Sequence, residues 1–445
     1  MAALLSARII DSALAELDQV GHVYVGYSGG VDSHVLLHLC ASVKDLNHKI
    51  TAVYVHHGLQ AAAEGWAGHC QQSAANLGVA FKLLRVDARS LPGESPEEAA
   101  RNARYQALQS LMNADDVLLI GQHREDQLET VLLQLFRGGG LPGLSGMPER
   151  MAFGRGVMLR PLLNVAKTAI SDYAVAHGLS WVDDPSNLSD DYDRNFLRNA
   201  VLPLLKQRWP SLDKTVARSA RHCADAQVIV SNVAEELFLP VFNAADKTLS
   251  ISRLQSYKNP QQQLVIRQWF QRLGLRMPAQ GFVERILAEV LAARADSDPL
   301  LSGQGYCVRR YRDKLYCLKS SCLKPSLQNL FQECIWPAGQ TSITLSNHQK
   351  LFCEPSASGI AFERWQSAAI VVKARSGGEK IRLPGRQGHH SLKNLFQEAG
   401  VPPWERALMP LIYLDNQLAS VGDYWISAEF YSEQSGHCVR LSLQR

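Results

Sequence analysis

Two short runs of this 445-residue chain hold residue types whose spacing suits chemistry. The first is Ser28-Gly29-Gly30-Val31-Asp32-Ser33. Paired glycines let the backbone close on a ligand, and a loop entering a helix aims N–H groups and a positive dipole end at one spot. That spot suits a phosphate. Ser28 and Ser33 add hydroxyl donors. Asp32 would repel a phosphate directly, so the role that fits it is holding Mg2+ against one. The loop lacks the lysine of a Walker loop and the Gly-x-Gly-x-x-Gly spacing of a dinucleotide site. The second run is GQHREDQLETVLLQLFRGGGLPGLSGM, residues 121–147. At helical spacing Leu128, Val131, Leu132, Leu135 and Phe136 share one side, with Asp126, Glu129 and Thr130 opposite. Two carboxylates at i and i+3 beside a phosphate site call for a metal or a cationic substrate.

The elements around these runs read as alternating strands and helices. Short β-branched stretches at 22–27, 50–56, 80–86, 116–121 and near 157–160 predict strands. Amphipathic stretches at 33–42, 63–77, 96–113 and 125–137 predict helices, the first with Ser33 as its N-cap. This alternation predicts a doubly wound, mostly parallel, Rossmann-like α/β domain over residues 1–211. Ligands of such sheets sit at the carboxyl ends of the strands, where Ser28–Ser33, His56–His57 and Gln122–His123 should converge. Helical patterns dominate 212–330, with a hairpin at 305–318. Short β-like runs and Gly/Pro punctuation over 331–445 predict a smaller α+β domain.

Composition sets the outer limits. A hydrophobic fraction of 46% and a charged fraction of 20% belong to an ordinary globular protein. No apolar run approaches the ~20 residues that span a bilayer, so no membrane role is expected. Nine scattered cysteines without Cys-x-x-Cys suit reduced thiols in a cytoplasm. The net charge of +4 says less than its distribution. Lys373, Arg375, Lys380, Arg382, Arg386 and Lys393 face the single acid Glu379 in that stretch, a pattern able to neutralise phosphates.

The glycine loop after the first strand resembles the pyrophosphate loop of the N-type ATP pyrophosphatases, which split ATP between its α- and β-phosphates. The 121–130 segment resembles the tRNA(Ile)-lysidine synthetase family, whose motif is Gly-His-His-x-Asp-Asp-Gln-x-Glu-Thr. His123, Asp126, Gln127, Glu129 and Thr130 match; Gln122 and Glu125 stand where the family has His and Asp. Residues 97–105, 160–205 and 392–421 extend the likeness. They bring Arg101 and Arg104 as cations over ATP phosphates, and a turn at Asp184, Pro185, Ser186 and Asn187. They also bring Arg194, Asn195 and Arg198 as RNA or nucleotide contacts, and Trp404 and Arg406 as core and salt-bridge residues.

The resemblance implies ATP and Mg2+, L-lysine, and tRNA(Ile) with a CAU anticodon. ATP would adenylate the wobble cytidine, and lysine would displace AMP to give lysidine. Ser28, Gly29, Gly30, Val31, Asp32, Ser33, Arg101 and Arg104 would bind ATP, with Asp32 on the metal. Asp126 and Glu129 would take the lysine ammonium, and one of these acids or His123 would accept its proton. Arg194, Asn195, Arg198, Arg382 and Arg386 would contact tRNA, divided among domains at 1–211, 212–330 and 331–445. The absence of Cys-x-x-Cys speaks against a tRNA thiolation enzyme. A nucleotide-binding RNA protein without turnover is the competing class, and it would need neither paired acids nor an acid on the loop. Oligomeric state stays open, a homodimer included.

Overall fold

A computed structural model of the chain describes residues 5–46, 49–58, 63–87, 89, 96–185, 189–294, 297–319, 332–433 and 437–444. The chain forms two compact units, 1–231 and 232–445.

In the first unit the elements run α1 (Arg8–Leu14), β1 (Val23–Gly26), α2 (Val31–Ala41), β2 (Ile50–His56), α3 (Ala63–Asn76), β3 (Ala80–Arg85), α4 (Pro96–Leu111), β4 (Val117–Ile120) and α5 (Arg124–Phe136). Then come α6 (Leu141–Leu144), β5 (Arg150–Phe153), β6 (Gly156–Leu159), α7 (Lys167–Ala176), α8 (Asp193–Phe196), α9 (Leu202–Arg208) and α10 (Leu212–Phe238), which runs past the unit boundary. The sheet order is β3-β2-β1-β4-β6-β5. All pairings are parallel except the edge pair β5–β6. The expected α/β sheet is therefore present. β5 is an added edge strand that the turn at Gly154 folds back on β6. Order reverses between β1 and β4, and the crevice at such a switch point is where ligands of these sheets bind. Val23, Val25, Val117 and Leu119 are buried in one core that α2, α3 and α7 help to cover.

The helix expected at 33–42 starts earlier, so Ser33 is not its N-cap. Gly30 holds that position with extended backbone, Val31 is the first helical residue, and Ser33 lies in the first turn. The apolar face expected on α5 is shorter than the pattern implied. Leu128 and Val131 are buried, but Leu135 and Phe136, in the last turn of the helix, are 53% and 66% exposed.

The second unit holds several separate cores. One gathers Phe238, Trp269, Phe270 and Val308 among helices and a sheet that includes the expected hairpin, Tyr306–Tyr311 against Lys314–Lys319. A second is built on Trp336, Trp365, Ile412 and Leu441, and a third on Leu392, Phe396 and Leu411. The two C-terminal five-stranded sheets are antiparallel, with a small ladder pairing Lys380–Ile381 to His390–Ser391. No helix among the described residues is long and apolar enough to cross a membrane.

Candidate active site

The loop after β1 is braced from within. Gly29 has φ +84°, a left-handed conformation that glycine tolerates best, and a Cβ there would come 3.0 Å from the Cys70 sulfur of α3. Ser33 Oγ donates to Gly30 O at 2.9 Å and accepts from Ser28 N at 3.2 Å. Ser33 thus shapes the loop from inside, while Ser28 is exposed. Val182 N donates to Gly29 O at 2.9 Å, tying in the segment after α7. Gly121, at the end of β4, packs so closely that a Cβ would meet Asp32 O at 3.0 Å. A glycine here lets the end of β4 lie close against the first turn of α2.

Asp32 Oδ1 lies 2.5 Å from Lys167 Nζ, the first residue of α7, and 3.7 Å from His123 Nε2. Its other oxygen takes no hydrogen bond among the described residues. His123 is buried at the start of α5, with Nε2 3.4 Å from Asp126 and Nδ1 3.4 Å from Glu125. Burial pulls its ring toward the neutral form, but the carboxylates of Glu125, Asp126 and Asp32 outweigh burial and raise its pKa. Burial alone would raise Glu125. Its partners His123, the Lys167 amide and Lys206 instead hold it down at about 2. Glu125 accepts from Lys167 N at 2.9 Å, capping the first turn of α7.

The acid pair is already occupied. Glu129, 1% exposed, receives Arg198 Nε at 2.7 Å and Nη2 at 2.8 Å, and Arg198 Nη2 also reaches Asp126 at 3.0 Å. Arg194 Nε stands 3.3 Å from Glu129, and its Nη2 donates to Thr130 at 2.8 Å. Leu197–Val201 winds as a π-helical turn, a widening often found at functional sites, and it carries Arg198. Residues expected to face RNA therefore close over residues expected to face lysine. The cluster has a phosphate side at the loop, an acid side on α5, and His123 between them.

Residues 5–205 match the PP-loop domain, 249–316 the TilS substrate binding domain and 370–443 the TilS substrate C-terminal domain. The tRNA(Ile)-lysidine synthase of Methylococcus capsulatus is 41% identical over 432 residues, covering 95% of this chain and 96% of that one. The chain belongs to the tRNA(Ile)-lysidine synthase family. The synthase of Xanthomonas campestris is 37% identical over 424 residues, covering 94% of each chain. That of Legionella pneumophila is 36% identical over 422 residues, covering 94% of this chain and 95% of its own.

The two departures from the family motif have visible partners. Gln122 Oε1 accepts from Arg160 Nε at 2.5 Å, and Arg160, buried behind β6, also donates to Pro148 O at 2.7 Å. A neutral amide there satisfies a buried guanidinium. Glu125 spans His123, the Lys167 amide and Lys206 Nζ at 3.3 Å, a reach that gains from the longer acid.

Lys167, paired with Asp32, is the residue of this cluster that motif reading missed. Its signal was local: a lysine opening a helix straight after a loop, in a chain whose glycine loop has no lysine of its own. Arg101 and Arg104 are exposed on α4 beside the Tyr105 ring, at 5.1 and 5.7 Å, and neither has an ion-pair partner among the described residues. Asn195 Nδ2 donates to Ser189 O at 2.8 Å. Ser186 and Asn187 lie outside the described residues. In the second unit Arg386 pairs with Glu398 at 2.8 Å, Arg375 with Glu379 at 3.3 Å and Lys373 with Glu333 at 3.3 Å. Lys380, Arg382 and Lys393 are exposed without an ion-pair partner among the described residues. Trp404 is buried under Arg309, 4.4 Å above its ring. Arg406, expected in a salt bridge, instead donates to Tyr311 Oη at 2.9 Å and Val401 O at 2.8 Å, and no carboxylate among the described residues pairs with it.

The cluster suits Mg2+ without forming a cage for it. Among the described residues no group of three His, Cys, Asp or Glu side chains is arranged to hold a metal alone. Mg2+ is usually held by one or two carboxylates together with substrate phosphates and water. The second oxygen of Asp32, on the phosphate loop, meets that requirement.

Proposed function

We propose that this enzyme joins L-lysine to C2 of the wobble cytidine in the CAU anticodon of tRNA(Ile), using ATP. The observation that carries the reading is His123, which stands within 3.7 Å of Asp32 on the phosphate loop and 3.4 Å of Asp126 on the acid helix. A phosphate-binding side and a cation-binding side thus meet across one ring. That is what a reaction releasing pyrophosphate and then admitting an amine requires.

The cytidine O2 attacks the α-phosphorus of ATP, and pyrophosphate leaves. The loop N–H groups of Gly29 to Ser33 and Lys167 Nζ receive its growing negative charge, aided by Arg101 and Arg104. Asp32 would hold Mg2+, which when bound would further neutralise the departing charge. Lys167 then exchanges its bond to Asp32 for one to phosphate. In this reading His123, with its raised pKa, favours the imidazolium and adds to the anion-stabilising side.

The lysine ε-amine attacks C2, the C2–O bond breaks, and AMP leaves with the former carbonyl oxygen. Lysine enters as an ammonium, since a free amine of pKa ~10.4 is scarce at neutral pH. It takes the place between Asp126 and Glu129 that the Arg198 guanidinium occupies, a cation exchanged for a cation. Asp126 is the more accessible acid, its side chain 15% exposed against 1% for Glu129, and it takes one proton from the ammonium, freeing the nitrogen lone pair that attacks C2. Arg194 and Arg198, displaced from Glu129, turn to the tRNA backbone with Asn195. The domain at 1–211 performs the chemistry. Those at 212–330 and 331–445 hold the tRNA, the latter through Arg382 and Arg386. Such an enzyme works in the cytoplasm.

Nucleoside analysis of tRNA(Ile) after incubation with ATP and lysine tests the whole reading. Lysidine should appear only when both are present. Its absence with active, folded protein would return the chain to a nucleotide-binding role without turnover.

A further inference from the structure

A cleft of about 460 Å3 opens in the second unit beside the basic hairpin of residues 380–391, closed by the Lys380–Ile381 and His390–Ser391 ladder. Its size falls in the ~300–1,000 Å3 range of small-ligand sites. Its walls combine three aromatic rings, Tyr424, Trp425 and Tyr431, with the guanidinium groups of Arg386 and Arg440 against the single acid Asp423, and Leu383 forms part of the lining. This mixture differs from a core defect, which would be apolar, and from a solvated face, which would lack the rings.

The rings are held in place. Trp425 packs against Phe396 at 5.2 Å between centroids, and Tyr424 lies 5.3 Å from Trp425, tilted by 44°. Tyr431 Oη donates to Glu433 at 3.2 Å. Tyr424 remains 38% exposed at the mouth. The cations are available. Arg440 has no ion-pair partner among the described residues, and its cross-strand neighbour Glu354 instead accepts from Ser442 Oγ at 3.4 Å. Among the described residues Arg386 pairs only with the exposed Glu398, and an exposed pair of this kind is worth ~0–1 kcal/mol, which a phosphate can displace.

We propose that this cleft binds an unpaired nucleotide of the tRNA other than the wobble base, and that the nucleotide belongs to the single-stranded 3′ tail. Exposed aromatic faces stack bases, whatever their identity, while arginines at the rim take the phosphates. Duplex RNA keeps its bases paired and presents no free face to such rings. Every tRNA ends in an unpaired tail, whereas its other loops, the anticodon loop apart, are folded onto one another. The proposal rests on the tRNA reading above and adds a second, base-stacking contact to it.

The test uses the full-length protein and two RNAs, intact tRNA(Ile) and the same tRNA trimmed of its 3′ single-stranded nucleotides. Trimming should weaken equilibrium binding to the parent protein by roughly tenfold, the scale of removing one base stack. In Tyr424→Ala, and separately in Arg440→Gln, intact and trimmed tRNA should bind alike, while Tyr424→Phe should restore the difference. Equal binding of the two RNAs by the parent protein overturns the proposal. So does a tenfold loss on trimming that persists undiminished in both Tyr424→Ala and Arg440→Gln, because the tail would then be held elsewhere. Lysidine formation by the parent protein on intact tRNA is measured beside it. If lysidine forms but trimming has no effect, the cleft assignment falls while the enzymatic reading stands.

Discussion

Asp126 and Glu129 lie three residues apart on one helix, and Arg382 and Arg386 lie four apart on one hairpin, yet the two pairs hold their charge differently. The acids are sheltered and committed to neighbours: Arg198 reaches both, Arg194 reaches Glu129, and His123 touches Asp126. The hairpin arginines are open to water, and only Arg386 has an ion-pair partner among the described residues. A sheltered charge must trade one partner for another when a ligand arrives. An open charge need only shed water and counterions. The first arrangement favours selectivity and chemistry, and the second favours affinity that responds to salt.

Four experiments would break or sharpen that contrast. The largest effect belongs to Asp32→Asn, which keeps size and removes the loop's only acid. Lysidine formation should fall by at least ~10²-fold, the scale of removing one electrostatic interaction with a transition state, while circular dichroism stays native. Undiminished turnover in the folded variant would take Asp32 out of the mechanism. Next is Glu129→Gln, which takes the shared anion from Arg194 and Arg198 and leaves Arg198 with Asp126 alone. Breaking a buried pair costs ~3–5 kcal/mol and an exposed one ~0–1. Arg198, whose side chain is 39% exposed, places the expected loss at about 2–3 kcal/mol in denaturant unfolding. A loss below ~0.5 kcal/mol would show that the network is no tighter than the hairpin.

The third concerns pH. Glu125 has a folded pKa of about 2 against an ordinary value of 4.5. A depressed carboxylate adds stability above its unfolded pKa and loses it as pH falls toward the folded value. Stability should therefore decline between about pH 4.5 and 2, and Glu125→Gln should flatten that part of the curve. Coincident curves for parent and variant would remove Glu125 as its source. The smallest effect on the fold belongs to neutralising Arg382 and Arg386 together, within ~1 kcal/mol. Binding of tRNA should still weaken, and the log–log salt slope should drop by ~0.7–0.9 for each phosphate the protein no longer neutralises. An unchanged affinity and slope would leave the hairpin as solvated surface.

Legibility in the sequence followed the same divide. The parallel strands were readable because short, largely buried apolar runs such as those at 23–25 and 117–119 have no other comfortable environment. The glycine loop and the acid pair were readable because their residue types serve no ordinary packing purpose. What escaped was who pairs with whom. Lys167 lies 135 residues from Asp32 along the chain, and Arg198 lies 69 from Glu129. No local pattern encodes an ion pair that only the folded sheet brings together. The edge strand Arg150–Phe153 escaped for a related reason, since its outer residues are mostly exposed and give no alternating signal. Ser33 was misplaced as a cap because a serine looks the same inside the first turn as just before it.

The closeness of Gly29 to the Cys70 sulfur bears on oxidative stress. An oxygen added to that sulfur would need the space in which the phosphate loop rests. Oxidants attack the thiolate, however, and burial pushes the Cys70 thiol up to about 12 while leaving none of its surface accessible. The loop can thus lie against a cysteine without becoming a redox sensor, and peroxide treatment should leave ATP binding intact for as long as the fold keeps that sulfur covered.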